Sequence, residues 1–153
     1  MILIASAGKE KGSMTSKIVI GVVIVLALVA GVSMAADSAK ETAAVAAAEK
    51  WVALVDAGNY GDSWTEAARY FKSTVAMETW EQMLRPIRKP LGKVISRKVM
   101  TRAYKTTLPG APDGEYVVIE FATSFQNKQS AVETMTPMLE KDGKWRVAGY
   151  LLK

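Results

Sequence analysis

Three strand-like runs written back to back at the C-terminal end constrain this chain more than any other feature. Glu115 to Phe125, Ser130 to Leu139 and Lys144 to Leu152 are separated only by Gln126-Asn127-Lys128 and Lys141-Asp142-Gly143. An Asp-Gly pair between runs of alternating apolar residues is a strong hairpin signal, because both residues tolerate the backbone that tight turns need. A further period-two segment, Lys93 to Tyr104, precedes them, and Leu108-Pro-Gly-Ala-Pro-Asp-Gly114 reads as the loop between. About four antiparallel strands in chain order are therefore expected.

The segments before Gly92 have helical spacing instead. Asp37 or Ser38, with Glu41 placed for a capping box, predicts a first helix carrying Ala43, Ala44, Ala46, Ala47, Ala48, Trp51, Val52, Leu54 and Val55. Asp56-Ala57-Gly58-Asn59 ends it. Asp62 or Ser63 opens a second helix from Trp64 to about Phe71, and Ser73 or Thr74 caps a third. In that third helix Met77, Trp80, Met83, Leu84 and Ile87 share a face, and Pro86 predicts an end or kink near Arg85. Helices followed by a run of strands give an α+β fold, three helices packed on a strongly bent antiparallel sheet.

The front of the chain reads differently. Lys17, the apolar run Ile18 to Val32 and the small residues Ser33-Met34-Ala35 have the layout of a secretory signal peptide. Residues 1–35 are the expected leader, with cleavage after Ala35 or Ala36, and residues 36–153 the single domain. Met14 offers a second start, which would make residues 1–13 an upstream extension. The run is shorter than the roughly 20 residues of a spanning helix, so periplasmic or secreted is the expected location, with an uncleaved inner-membrane anchor as the alternative. From Asp37 to Lys153, 17 Lys and Arg against 14 Asp and Glu leave a charge of +3.

Several motifs together carry a resemblance. They are Trp51 to Tyr60, Ser63-Trp64, Arg88-Lys-Pro-Leu-Gly92, Ser96-Arg97, Leu108 to Tyr116, Val132-Glu133-Thr134 and Asp142 to Tyr150. In this order they resemble a bacterial exported family known as a domain of unknown function, family 4019, over roughly Ala44 to Leu152. The broader resemblance is to the cone-shaped (cystatin-like) fold of nuclear transport factor two, which hosts isomerases, dehydratases, cyclases and non-catalytic partner-binding modules. The resemblance implies the architecture and leaves the activity open.

The chain has no histidine and no cysteine, which removes the commonest general base and the commonest metal ligands. No metal or cofactor is expected. Two acids stand out. Glu133 shares strand parity with Ala131, Met135 and Leu139, and Glu120 with Tyr116, Val118 and Ala122. A buried Glu133 suits either proton transfer or ligand binding, or an internal ion pair with Arg88 or Arg97 that fixes helices to sheet. Glu120 suits a solvated outer face. The set Trp51, Trp64, Phe71, Met77, Trp80, Met83, Phe121, Phe125, Met135 and Trp145 lines either a pocket or the core. Arg85 to Lys105 holds eight basic residues, with no acid from Gln82 to Pro112.

These readings converge on an exported, non-enzymatic binding or interaction module that uses the mouth between helices and sheet. Arg88, Arg97, Glu133 and Tyr150 are the expected polar contacts there, and Trp64 and Trp80 the apolar walls. Its expected partner is a small apolar or anionic ligand or an envelope protein, not nucleic acid, with membrane contact through an uncleaved leader. Two alternatives stand beside it. One is a small-molecule enzyme of isomerase or hydrolase type, with Glu133 as general base and a tyrosine as oxyanion donor. The other is an envelope-surface protein held on anionic lipid or polymer by Arg85 to Lys105.

Overall fold

A computed structural model describes residues 23–153, with side chains from Met34 onward. The expected leader, residues 1–35, lies for the most part outside the described residues. Helix α1 spans Val23–Asp56 and passes through Asp37 and Ser38 without the start expected there. Ala35, Ala36 and Ala39 are strong helix formers, and extending a helix is far cheaper than nucleating a new one. Ser38 is a helical residue whose carbonyl accepts from Thr42 Oγ1 at 2.9 Å.

The expected second helix is two helices, α2 (Tyr60–Glu66) and α3 (Arg69–Thr74). Ala67 and Ala68 between them are extended, with ψ of 164° and 151°. The Ala68 N–H donates to Val147 O at 2.9 Å, and both alanines are fully buried. That tertiary bond overrides a good local helix propensity. The described fold therefore has four α-helices where three were expected.

Helix α4 (Met77–Arg88) starts after Ala76, not at Ser73 or Thr74. Those hydroxyls bond back to Tyr70 O and Phe71 O and close α3 instead. Pro86 does not end the helix at Arg85, because only its last turn remains to be completed. A 3-10 turn, Lys89–Leu91, follows. The buried stripe of α4 is Trp80, Leu84 and Arg88, a ridge of four-residue steps. Met83 and Ile87, expected on that face, lie to one side of the ridge and are 53% and 48% exposed.

Gly92 then turns the chain at φ 72°, and a Cβ there would meet Gln126 at 3.0 Å. Strands β1 (Val94–Lys105), β2 (Tyr116–Phe125), β3 (Lys128–Leu139) and β4 (Trp145–Leu152) form one antiparallel sheet in that order. The α+β class, the meander and both short turns agree with the sequence reading. One sheet face carries Val117, Ile119, Phe121, Met135 and Val147 into a core with Ala44, Ala48, Trp51, Val52, Val55, Phe71, Trp80 and Leu84. Glu120 lies on the other face, where its carboxylate accepts from Thr101 Oγ1 at 3.1 Å. Among the described residues no helix is long and apolar enough to cross a membrane.

Candidate functional site

Glu133 points from β3 into the apolar face, beside Ala131 and Met135, and is completely buried. An unpaired carboxylate in such a place would cost several kcal/mol, so it must be compensated. Four elements supply the partners. Tyr150 of β4 donates to Oε1 at 2.6 Å and Arg88 of α4 donates through Nη1 to the same oxygen at 3.1 Å. Arg97 Nε of β1 and Thr123 Oγ1 of β2 each donate to Oε2 at 2.6 Å. Two donors on each oxygen use the full acceptor capacity of the carboxylate.

Both arginines reach on to a second acid. Arg97 binds Asp56 in bidentate fashion, Nη1 to Oδ2 at 2.7 Å and Nη2 to Oδ1 at 2.9 Å. Arg88 donates to Asp56 Oδ1 through Nη2, and its guanidinium lies 4.7 Å from the centre of the Phe125 ring. Two carboxylates and two guanidiniums thus form a closed lattice joining the end of α1 and the end of α4 to all four strands. Bidentate arginine–carboxylate pairing of this kind is strong and directional.

Asp56 and Thr123 are the members that sequence reasoning missed. Asp56 ends α1, and it reads locally as a helix stop. Yet an acid in the last helical turn opposes the helix dipole, and no basic residue shares that turn. That mismatch was the available signal that Asp56 has partners elsewhere. Thr123 sits in the same strand parity as Phe121 and Phe125, a hydroxyl on an otherwise aromatic face.

Burial lowers the tendency of the Arg97 guanidinium to stay charged, but its hydrogen bonds to Asp56 and Glu133 outweigh this and raise its pKa. Tyr150 is held well above the ordinary phenol value, first by burial and then by the Glu133 charge, with Arg88 and Arg97 opposing in part. A tyrosine raised in the folded state contributes stability that is complete below its unfolded pKa of about 10 and is lost as pH rises further. Thermal stability should therefore fall steeply above about pH 10. The tyrosinate absorbance of Tyr150 should emerge only as the fold is lost, and Tyr150→Phe should remove that component.

The expected competing chemistry meets obstacles in this geometry. Glu133 has no free lone pair with which to take a substrate proton, and the Tyr150 hydroxyl already donates to it. Trp80 is buried among Trp51, Phe71 and Tyr150, with ring centroids 6.0, 4.9 and 6.2 Å away. Trp64 packs on the edge of that core and donates through Nε1 to Val75 O at 2.8 Å. Arg88, Arg97, Glu133 and Tyr150 are brought together as expected. The two tryptophans stand apart from any open surface the four could share.

An open cleft of about 400 Å³ lies next to the lattice. Its floor holds Asp56 and Arg88, and Gly92 and Gln126 close one side. Arg85, Lys89 and Lys93 stand on its rim and are exposed. Of the six residues expected to meet a ligand, only Arg88 lines this cleft. Among the described residues, no group of three or more Asp and Glu side chains is placed to hold a metal ion.

The model of a family described as a protein of unknown function (DUF4019) matches residues 47–150. The chain belongs to this family. The matched span contains Asp56, Arg88, Arg97, Thr123, Glu133 and Tyr150, so the entire charge lattice and the cleft beside it lie within the family's domain. No curated protein and no solved structure matches the chain.

Proposed function

We propose that this protein is an exported, non-enzymatic binding module that takes a small anionic ligand in the cleft beside Asp56 and Arg88. The observation that carries the reading is the charge on the rim. Arg85, Lys89 and Lys93 stand on the rim of an open cleft of about 400 Å³. Among the described residues neither lysine has a salt-bridge partner, while Arg85 is 3.4 Å from Glu81. Free lysines facing a polar cleft recognise a carboxylate or phosphate as point charges.

The arginine–carboxylate lattice has a supporting part in this reading. It fixes the end of α1 and the end of α4, which form two walls of the cleft, and ties β1 to both. We read the helices-then-meander order as a variant of the cone-shaped fold of nuclear transport factor two, bacterial in origin. Export rests on Lys17, the apolar run Ile18 to Val32 and the small residues Ser33-Met34-Ala35.

Calorimetric titration with inorganic phosphate and with citrate tests the proposal and separates phosphate from carboxylate recognition. Saturable binding of one anion, abolished in Lys89→Glu/Lys93→Glu without a change in melting temperature, is the expected result. Absence of binding to both anions, or equal binding by the variant, overturns it.

A further inference from the structure

Strand β1 breaks register with β2 twice. Val94 pairs with Phe125 and Ser96 with Ser124, and Val99 pairs with Phe121 and Thr101 with Glu120. Each step has two residues on β1 against one on β2, so Ile95 and Met100 are the extra residues of two β-bulges. A bulge bends the strand and re-aims a side chain. Here both re-aimed side chains are large and aliphatic, and they are the most exposed of their kind on the sheet, 67% for Ile95 and 56% for Met100. Five residue steps separate them, roughly 16 Å of strand.

Every charged residue of β1 and of the corner before it is basic, and the acids beside the strand, Glu120 and Glu41, are bonded to Thr101 and Arg102. Lys93, Lys98 and Lys105 are exposed on or beside β1, and Lys89 precedes them. Arg88 and Arg97 are consumed by the buried lattice, and Arg102 pairs with Glu41 at 3.3 Å. Val99, and Ile87 at the end of α4, add two further exposed apolar groups, 38% and 48%. Lysines alone would be explained as protection of an edge strand against pairing. That explanation does not cover aliphatic side chains placed in solvent by bulges in the same strand.

We propose that β1 and the corner leading into it dock on an anionic lipid bilayer. Ile95 and Met100 enter the boundary between headgroups and acyl chains, and Lys93, Lys98 and Lys105 meet lipid phosphates. Aliphatic tips interleaved with lysines, on a strand that itself has no acidic residue, fit the charge and polarity of that boundary. A protein partner would need a strongly acidic apolar face to match. The inference shares Lys93 with the rim of the cleft and otherwise rests on residues outside it, Ile95, Lys98, Met100 and Lys105.

The test is partition of the full chain onto phosphatidylglycerol/phosphatidylcholine vesicles and onto pure phosphatidylcholine vesicles. Lys9, Lys11 and Lys17 before the apolar run Ile18 to Val32 also favour anionic lipid, so the loss in the β1 variants relative to the wild type on the same vesicles is the readout. The wild type is expected to favour the anionic vesicles and to lose that preference in high salt. Lys93→Gln/Lys98→Gln should weaken anionic binding by about 30-fold. Ile95→Ser/Met100→Ser should weaken it by on the order of tenfold or more while keeping the salt dependence. Equal partition onto both vesicles overturns the proposal. So does wild-type binding by both variants, and self-association through β1 in place of vesicle binding would do the same.

Discussion

Glu133→Ala should be among the most destabilising single substitutions in this domain, costing about 3–5 kcal/mol. The cost does not come from the lost carboxylate alone. Removing it leaves Arg88, whose side chain is 4% exposed, and the Tyr150 hydroxyl without their shared acceptor. Asp56 is then the one carboxylate for two guanidiniums, which leaves a buried positive charge only partly compensated. For a domain of about 120 residues that cost corresponds to roughly 12–20 °C in melting temperature. Glu133→Gln, which keeps an acceptor oxygen but removes the charge, should cost less. Adding Arg88→Met to Glu133→Ala should recover part of the loss, because the stranded charge goes with it. Thermal denaturation of the three variants gives the order, and additive losses would show that the groups do not act as one lattice.

The second large effect is at Trp80. Trp80→Ala should cost about 3–5 kcal/mol, from lost burial and the cavity left behind. Trp80 is 5% exposed and meets Phe71 edge-on, with the ring planes at 90°. Its Nε1 also donates to Ser63 Oγ at 3.0 Å. Ser63 is itself fully buried, and its carbonyl accepts from Trp51 Nε1 at 2.7 Å. Trp80 thus holds α2, α4 and the end of α1 through one aromatic cluster. Trp80→Phe preserves most of the packing, and Ser63 Oγ keeps its bond to Tyr60 O, so its cost should be about 1–2 kcal/mol. Chemical denaturation followed by circular dichroism distinguishes the two.

The sheet was legible in the sequence because its signals are local. The Asp142-Gly143 turn needs only two residues to declare itself, and Gly143 adopts φ 76° as such a turn requires. Val117, Ile119, Phe121 and Met135 alternate cleanly, so the inward face and the orientation of Glu133 followed from period two. An ion pair with Arg88 or Arg97 was one of two readings of a buried Glu133, suggested because both arginines recur in the motifs of the resemblance, and the structure has both pairs.

What was not legible depended on contacts between distant residues. The break at Ala67 and Ala68 is set by Val147, a residue about 80 positions away, and two alanines in sequence argue for helix. Asp56 looked like punctuation because its two arginines lie 32 and 41 residues downstream. Trp64 and Trp80 were placed as pocket walls on their chemistry alone, whereas a core of this size draws its largest aromatics inward. The bulges at Ile95 and Met100 also left no local mark, since nothing in Val94 to Lys105 breaks the strand pattern.

The measurement that tests the account most directly is a two-dimensional amide-resonance titration of the protein with inorganic phosphate and with citrate. Shifts confined to Val55 to Tyr60, Arg85 to Lys93 and Gln126 are predicted, because the cleft takes the anion and the lattice stays closed. Shifts centred on Glu133, Thr123 and Trp80 would contradict it, since they would mean that the buried carboxylate is reachable and the interior, not the cleft, is the site.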